Sequence, residues 1–336
     1  MKPHKVEKYP FVAQSNGLKA IWENSRFAFD CFKASEVIAK IIEKQPSFEE
    51  ILNISGTIRK LLDPSILKNK APEEPFNVLF SSLENNKREL ANYLYQSIEA
   101  KPNKLSFYEN WSRLYETLNI YFVESALGTP RTISAITSIY DNQRYGDMRE
   151  KLQERFLLLE KSANFDKSNN SIDIEFHENG HTINYSRLTY SSSIEGFLIQ
   201  HTPPCELINS KKIMAKLYDK LITDENYYQD KEKFLNFVKT LAELSWHLTQ
   251  AMPFRRGSAS VNELLITSIL LYKKIRLPEY KEIVTCDLMA IFSATPEAYS
   301  NEFPDFFKWE EFESQFRFLD DINSSINSKN IEDIVN

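Results

Sequence analysis

Residues 231–272 read KEKFLNFVKTLAELSWHLTQAMPFRRGSASVNELLITSILLY and contain two apolar segments with a short break between them. In residues 231–251 the apolar side chains recur at spacings of three and four, as on one face of a helix. Further apolar positions widen this stripe, so the pattern predicts a central helix that is buried on more than one face. A second apolar helix is predicted over residues 261–272. Together the two helices predict a helical core.

The break at residues 252–260, MPFRRGSAS, has the composition of an anion-binding loop. Its backbone N–H groups would lie at the start of the second helix, where the helix dipole is positive. Arg255 and Arg256 add charge and forked hydrogen-bond donors for a phosphate group. A purely structural helix–loop–helix junction explains the same residues, because arginines are common in such junctions.

Upstream of these helices the sequence predicts a few short strands. Apolar residues alternate on both sides of an Asn-Gly pair at 179–180, and such a pair between alternating runs is a strong signal for a β-hairpin. Residues 196–201, GFLIQH, form a further extended run that ends at the two prolines 203–204. We expect helices to resume near Asn209.

The N-terminal half has apolar residues at helical spacing with few helix breakers. The run PSFEE at 46–50 predicts a helix start with Ser47 as the N-cap. Further helices are predicted at Pro75–Leu83, Lys87–Ile98, Phe107–Phe122, Pro130–Ile139 and Asp147–Leu158. The segment has no repeat of constant period, so we interpret it as a helical scaffold or partner-binding bundle rather than a solenoid.

The predicted fold is therefore all-α, that is, mainly helical, with one or two short β-hairpin or flap strands. We expect an N-terminal helical region at 1–160, a core domain at 161–300 and a C-terminal helical extension at 301–336. Residues 303–309, FPDFFKW, are expected to dock on the core, with a partner-binding patch as the alternative. The polar residues near the C-terminus are expected to fray.

The composition excludes several classes of protein. The chain has 336 residues, and its 41 Lys+Arg against 47 Asp+Glu give a net charge of −6, which argues against a nucleic-acid-binding surface. It contains only 7 glycines, which excludes folds built on Gly-rich phosphate loops. Cys31, Cys205 and Cys286 are far apart and predict neither a disulfide framework nor a zinc site, so a reducing cytosol fits. We expect no signal peptide and no transmembrane segment, because no apolar run is long enough.

Two helices joined through Pro253, Phe254 and Gly257 resemble the Fic (Fic/Doc) family, whose motif reads H-P-F-x-[D/E]-G-N-G-R between two buried helices. The run FLIQHTPP at 197–204 resembles the flap strand that lies over this loop in the family. The resemblance covers residues 170–280. It implies a Fic-like (Fido-fold) helical core, a nucleotide-type ligand and transfer of a phosphate-linked group to a protein.

Several motif positions differ from the family pattern, and the differences change the implied chemistry. Met252 replaces the catalytic histidine and cannot accept a proton. Arg256 replaces the acidic magnesium ligand and repels a cation. Ser258 and Ser260 replace the Asn and Arg that contact the phosphates. We therefore expect no metal and no standard magnesium-dependent AMP transfer, whereas a backbone anion site at Gly257 would remain.

Three residues outside the loop are weaker candidates. His201, at the end of the flap, and Glu195, just before it, are candidates for a catalytic role, although a surface role for His201 is favoured. The run SSSIEG at 191–196 resembles an autoinhibitory Fic motif, which we interpret as coincidence. His247 lies about 140° around the helix from Met252 and is interpreted as a packed or a surface histidine. The expected ligand-binding residues are Met252, Phe254, Arg255, Arg256, Gly257, Ser258 and Ser260.

Two functions stay open at this level. In the first, the chain is a degenerate Fic-like protein that binds a nucleotide or nucleotide-sugar and transfers a group without a metal. In the second, it is a non-catalytic pseudo-enzyme or helical adaptor that acts through protein–protein contacts. The Asn-, Lys- and Ile-rich composition resembles that of effectors that bacteria deliver into host cells. We therefore expect a cytoplasmic protein, secreted into the host cytosol, with a host protein and a small phosphate-bearing ligand as partners.

Overall fold

The computed structural model describes residues 25–61, 133–136 and 146–307, apart from residues 163, 179, 195, 255–257 and 276–285. The helices α1 to α8 span, in chain order, Ser25–Ile42, Phe48–Leu61, Gly146–Leu159, Pro204–Thr223, Lys231–Ala251, Ser258–Tyr272, Cys286–Ile291 and Pro296–Glu302. The strands β1 to β5 span Ile133–Ile136, Phe165–Asp166, Ser171–Glu178, His181–Ser191 and Gly196–Gln200. A 3-10 turn follows at Phe303–Phe306. The prediction of a mainly helical fold with few strands is confirmed.

The described strands form one antiparallel sheet in the order β1–β5–β4–β3–β2. Strands β3 and β4 form the predicted hairpin, in which Glu178 pairs with His181. Gly180 lies in the turn at φ +80°, a conformation that glycine adopts without strain. Strand β5 is the predicted extended run and pairs with β4 on one side and β1 on the other.

Two helix predictions are wrong. Residues Ile133–Ile136 form β1 instead of part of a helix over Pro130–Ile139, because they pair with β5, which lies far along the chain and leaves no local signal. Helix α4 begins at Pro204 rather than near Asn209, since a proline in the first turn has no N–H to leave unpaired. The helices predicted at 75–83, 87–98 and 107–122 lie outside the described residues.

Helix α5 is the central element of the core. The Asp230 carboxylate caps its first turn by accepting a hydrogen bond from the Lys233 N–H at 2.8 Å. Every residue from Leu244 to Ala251 is buried, so protein surrounds the last two turns, as predicted. The helix ends at Met252, which has left-handed backbone angles of φ 44° and ψ 58° and donates its N–H to the Leu248 carbonyl.

Helices α1 and α2 pack against α6, and α2 also contacts α4. The predicted cap of α2 is present as a capping box. Ser47 Oγ accepts from the Glu50 N–H, and Glu50 Oε2 accepts from the Ser47 N–H at 2.7 Å. Ile38 of α1 and Ile51 of α2 are fully buried in the same apolar core as α5. The division of the chain near residue 160 stays a prediction.

The C-terminal aromatic segment covers the core, as predicted for residues 303–307. Phe303, Phe306 and Phe307 are buried, and the 3-10 turn packs on α5 and α8. Tyr299 of α8 lies beneath them, fully buried, with its ring near those of Phe303 and Phe306. Residues 308–309 lie outside the described part of the chain.

Candidate ligand-binding site

The 252–260 loop joins the C-terminus of α5 to the N-terminus of α6. Ser258, the first residue of α6, ties the loop together through its hydroxyl group. Its Oγ accepts a hydrogen bond from the Phe254 N–H at 3.0 Å and donates one to the Phe254 carbonyl at 2.9 Å. The chain therefore leaves α5 through the left-handed residue Met252, and the two hydrogen bonds of the Ser258 hydroxyl hold Phe254 at the start of α6.

Phe254 anchors this loop in the core rather than facing a ligand. Its side chain is 6% exposed, and the preceding Pro253 is also buried. The Phe254 ring lies so close to Gly56 of α2 that a Cβ atom at Gly56 would be 2.4 Å from the ring. The missing side chain at position 56 thus allows α2 to approach the loop closely.

The N-terminus of α6 is the described end of the predicted ligand-binding loop. Its first turn contains no acidic residue, and Ser258 and Ser260 lie half-buried there. The first four N–H groups of a helix have no partner inside it and carry the positive end of the dipole. Arg255, Arg256 and Gly257 directly precede this turn in the chain and lie outside the described residues, as does Glu195.

The end of β5 is fixed to the end of α5, next to the loop. Thr202 Oγ1 donates a hydrogen bond to the Gln250 carbonyl at 2.6 Å. His201, which precedes Thr202, is half-buried, and burial lowers the pKa of its imidazole below the ordinary value. The structure therefore brings the segment that contains one predicted catalytic candidate toward the C-terminal end of α5, where burial favours the neutral form of the histidine.

His247 is a packed core residue, which is the first of the two roles that the sequence left open for it. Its Nδ1 shares a hydrogen bond with the Tyr185 hydroxyl at 2.7 Å, and its ring lies edge-on to Phe176 and Trp246. The side chain is 2% exposed, and desolvation lowers the pKa of His247 to about 3. A neutral and enclosed imidazole of this kind fixes strands β3 and β4 to α5.

Buried polar side chains along α5 connect it to its neighbours. Gln250 Oε1 accepts from Ser186 Oγ at 2.6 Å, and Gln250 Nε2 donates to the Ala290 carbonyl at 2.9 Å. On α6, Asn262 Nδ2 donates to Ser245 Oγ at 3.0 Å and to Thr249 Oγ1 at 2.9 Å. These contacts hold both helices in register at the loop.

This layer of polar contacts could not be predicted from the sequence. The signal was present as polar residues that interrupt the apolar stripe of α5, but the partners come from β4, α6 and α7 and cannot be read locally. Among the described residues, no three His, Cys, Asp or Glu side chains are grouped in a way that would hold a metal ion. Over the same residues, no helix has the length and apolar character needed to cross a membrane.

The comparison with protein families corrects the proposed resemblance. Residues 172–310 match the family model of the AvrB_AvrC avirulence protein, a bacterial effector family. No Fic domain is detected, so the Fic-like assignment is wrong. The resemblance depended on three identities, of which Pro253 and Phe254 are buried, and the Phe254 ring packs against Gly56 of α2. No curated protein matches the chain. The match covers less than half of this chain, and the matched part is similar to avirulence proteins, a family of bacterial effectors.

Proposed function

We propose that this chain is a bacterial effector that acts on a host protein, and that its 252–260 loop binds a phosphate-bearing ligand, either a nucleotide or a nucleotide-sugar. The observation that carries the effector assignment is the avirulence-family match over residues 172–310. A host protein target and delivery into the host cell follow from that assignment.

The ligand part of the proposal rests on the chemistry of the loop. Its described end is the N-terminus of a 15-residue helix with no acid in the first turn. Arg255 and Arg256 precede that turn in the sequence, with Gly257 between Arg256 and the helix. A helix N-terminus with adjacent guanidinium groups favours phosphate over other ligands, because backbone donors and forked side-chain donors both fit its oxygens.

The second candidate function is that of a non-catalytic pseudo-enzyme or helical adaptor that acts through protein–protein contacts. Met252 carries no titratable group, and the His247 imidazole is enclosed by aromatic rings. His201 and Glu195 stay the catalytic candidates for a metal-independent transferase. If neither is required, the chain acts as an adaptor through protein–protein contacts.

A thermal-shift titration tests the ligand site. The full chain is heated with ATP, ADP or UDP-glucose, each with and without magnesium. At 100 times the Kd, a ligand adds about 2.7 kcal/mol to the free energy of unfolding, which is a measurable rise in Tm. We expect the rise to be independent of magnesium and absent in Arg255→Ala/Arg256→Ala.

The matched control is Lys212→Ala/Lys220→Ala, which removes the same charge from exposed positions of α4. This variant should keep the full ligand-induced rise in Tm. If both double variants lose the rise in Tm to the same extent, nucleotide binding depends only on the overall charge of the chain. Absence of a shift with all three ligands would contradict the phosphate site and leave the adaptor function.

A delivery assay tests the effector assignment separately. The chain is fused to a calmodulin-dependent adenylate cyclase and produced in its source bacterium during contact with host cells. We expect cyclic AMP to rise inside the host cells and to stay at background when the secretion system is inactivated. A background signal in both strains would contradict delivery, whatever the loop binds.

A further inference from the structure

A cavity of about 620 Å³ lies between α3 and the segment that contains α7 and α8. Its apolar wall includes Leu159 of α3, Met289 of α7, and Phe292 and Phe306 from the segment that follows. This volume and this lining are within the range of sites that enclose a ligand or a large side chain. None of its lining residues belongs to the 252–260 loop, so the cavity is a different surface from the proposed phosphate site.

The charged groups at this cavity are unequally matched. Arg155 pairs with Glu302, with 2.5 Å between Nη2 and Oε2, and also donates to Ser293 Oγ at 3.4 Å. Glu154 and Asp305 line the same cavity, are exposed, and have no ion-pair partner among the described residues. Lys151 also lines the cavity, so its lining carries two cations, Lys151 and Arg155, against the three carboxylates of Glu154, Glu302 and Asp305. This excess of negative charge favours a ligand with positive charge.

Exposed leucines extend the apolar surface beyond the cavity. Leu157 is 55% exposed and Leu158 is 63% exposed, on the last turns of α3, and Leu158 also lines the cavity. Large apolar side chains beside a concave site are typical of protein-binding surfaces. A small molecule enclosed by the cavity would leave Leu157 in water, whereas a polypeptide segment covers both leucines.

We propose that this cavity and the exposed leucines of α3 bind a segment of a partner protein in which large apolar side chains are flanked by lysine or arginine. The apolar side chains fill the cavity, and the flanking cations lie against Glu154 and Asp305. The charge of the chain itself disfavours the two other occupants. Residues 308–336 contain seven acidic against three basic residues, and a second copy carries a net charge of −6.

The test measures fluorescence anisotropy of three labelled octapeptides with the full chain at 0.15 M NaCl. The first peptide has a Trp-Leu pair with two lysines on each side, the second has glutamates in place of the lysines, and the third has Ser-Ser in place of Trp-Leu. We expect the first peptide to bind at least tenfold more tightly than either of the others. The comparison separates the charge requirement from the apolar requirement.

Variants of the chain then locate the binding. Ala298 is an exposed residue of α8 at the cavity, so Ala298→Trp fills the opening with little cost to the fold, and it should weaken binding at least tenfold. Glu154→Lys/Asp305→Lys should have a similar effect. Asp219→Lys/Glu232→Lys changes the net charge equally at exposed positions elsewhere and should leave the affinity within twofold.

Four results would overturn the proposal. The first is equal binding of the three peptides, or no binding of any of them, and the second is an unchanged affinity of Ala298→Trp for the Trp-Leu peptide. The third is a dimer of the wild-type chain in sedimentation that Ala298→Trp dissociates. The fourth is a tenfold rise in the affinity of the full chain for the Trp-Leu peptide after Trp309→Ser. The third result would make a second copy the occupant, and the fourth would make the C-terminal segment the occupant. None of them depends on nucleotide binding, so the loop is tested independently.

Discussion

His247 is enclosed between α5 and the β3–β4 hairpin, and its burial makes folding depend on pH. Desolvation lowers its folded-state pKa to about 3, whereas an unfolded histidine titrates near 6.5. The unfolded chain therefore binds the extra proton first as the pH falls. The stabilising contribution is complete above pH 6.5 and is lost progressively between pH 6.5 and 3.

We expect the wild-type chain to lose about 2 kcal/mol more than His247→Asn in its free energy of unfolding between pH 7 and 5. Urea unfolding of both proteins at the two pH values measures the difference. Asp287 acts in the opposite direction, because burial raises the pKa of its carboxyl to about 6 and stabilises the fold as the pH falls through that value. Both proteins contain Asp287, so its effect cancels. Parallel pH profiles for the two proteins would show that His247 is protonated in the folded state.

At the scale of single residues, the sequence predicted roles that depend on helix position and failed on those that depend on distant contacts. The angle between His247 and Met252 on one helix indicated that His247 is not a residue of the loop, although it left a packed and a surface position open. The anchoring role of Phe254 did not follow from the sequence, since its neighbour Gly56 lies in another helix far away in the chain. Arg255 and Arg256 lie outside the described residues, so their role stays a prediction.

Helix α2 and the 252–260 loop meet at the contact between Gly56 and Phe254. Glycine inside a helix is unfavourable relative to alanine by about 1 kcal/mol, so an alanine there would normally stabilise the protein. At position 56 the added Cβ would lie 2.4 Å from a buried aromatic ring. The ring or the helix must then move, which costs more than the gain in helix propensity.

We expect Gly56→Ala to lower the free energy of unfolding by about 1 to 3 kcal/mol in the wild-type chain. In a Phe254→Leu background the same substitution should raise it by about 1 kcal/mol, because the clash is gone and the helix propensity remains. Denaturant unfolding of the four proteins forms a double-mutant cycle. Stabilisation by Gly56→Ala in the wild-type chain would refute the close approach of α2 to the loop.

At the scale of elements, local sequence patterns were sufficient for α5, α2 and the β3–β4 hairpin. Their signals are contained within each segment: a periodic apolar stripe, a Ser47–Glu50 capping box and an Asn-Gly turn. Strand β1 could not be predicted in this way. Four residues have too little periodicity of their own, and only the pairing with β5 makes them extended.

At the scale of the whole molecule, the part that resembles avirulence proteins does not contain its whole core. The family match begins at residue 172, yet α1 and α2 precede it and pack on α6. Buried residues from Ile38 to Phe307 belong to one apolar cluster. Helices α1 and α2, which lie outside the match, therefore pack against the helix that begins at the proposed phosphate site. We infer that the matched part of the chain and these two helices unfold together.

We expect Ile38→Ala, which removes a fully buried side chain from α1, to lower the free energy of unfolding by about 3 kcal/mol. If α1 and α2 unfold together with α5, the slowest-exchanging amides of α5 should lose roughly 100-fold in protection, because each 1.4 kcal/mol is a factor of ten. Native-state hydrogen exchange on the full chain measures this. Leu158→Ala, at a position 63% exposed on α3, is the control and should change protection by less than about 0.5 kcal/mol. If Ile38→Ala leaves the protection of α5 unchanged and speeds exchange only in α1 and α2, the N-terminal helices are a separate unfolding unit. Only an independent unit loses its own structure without weakening the rest of the fold.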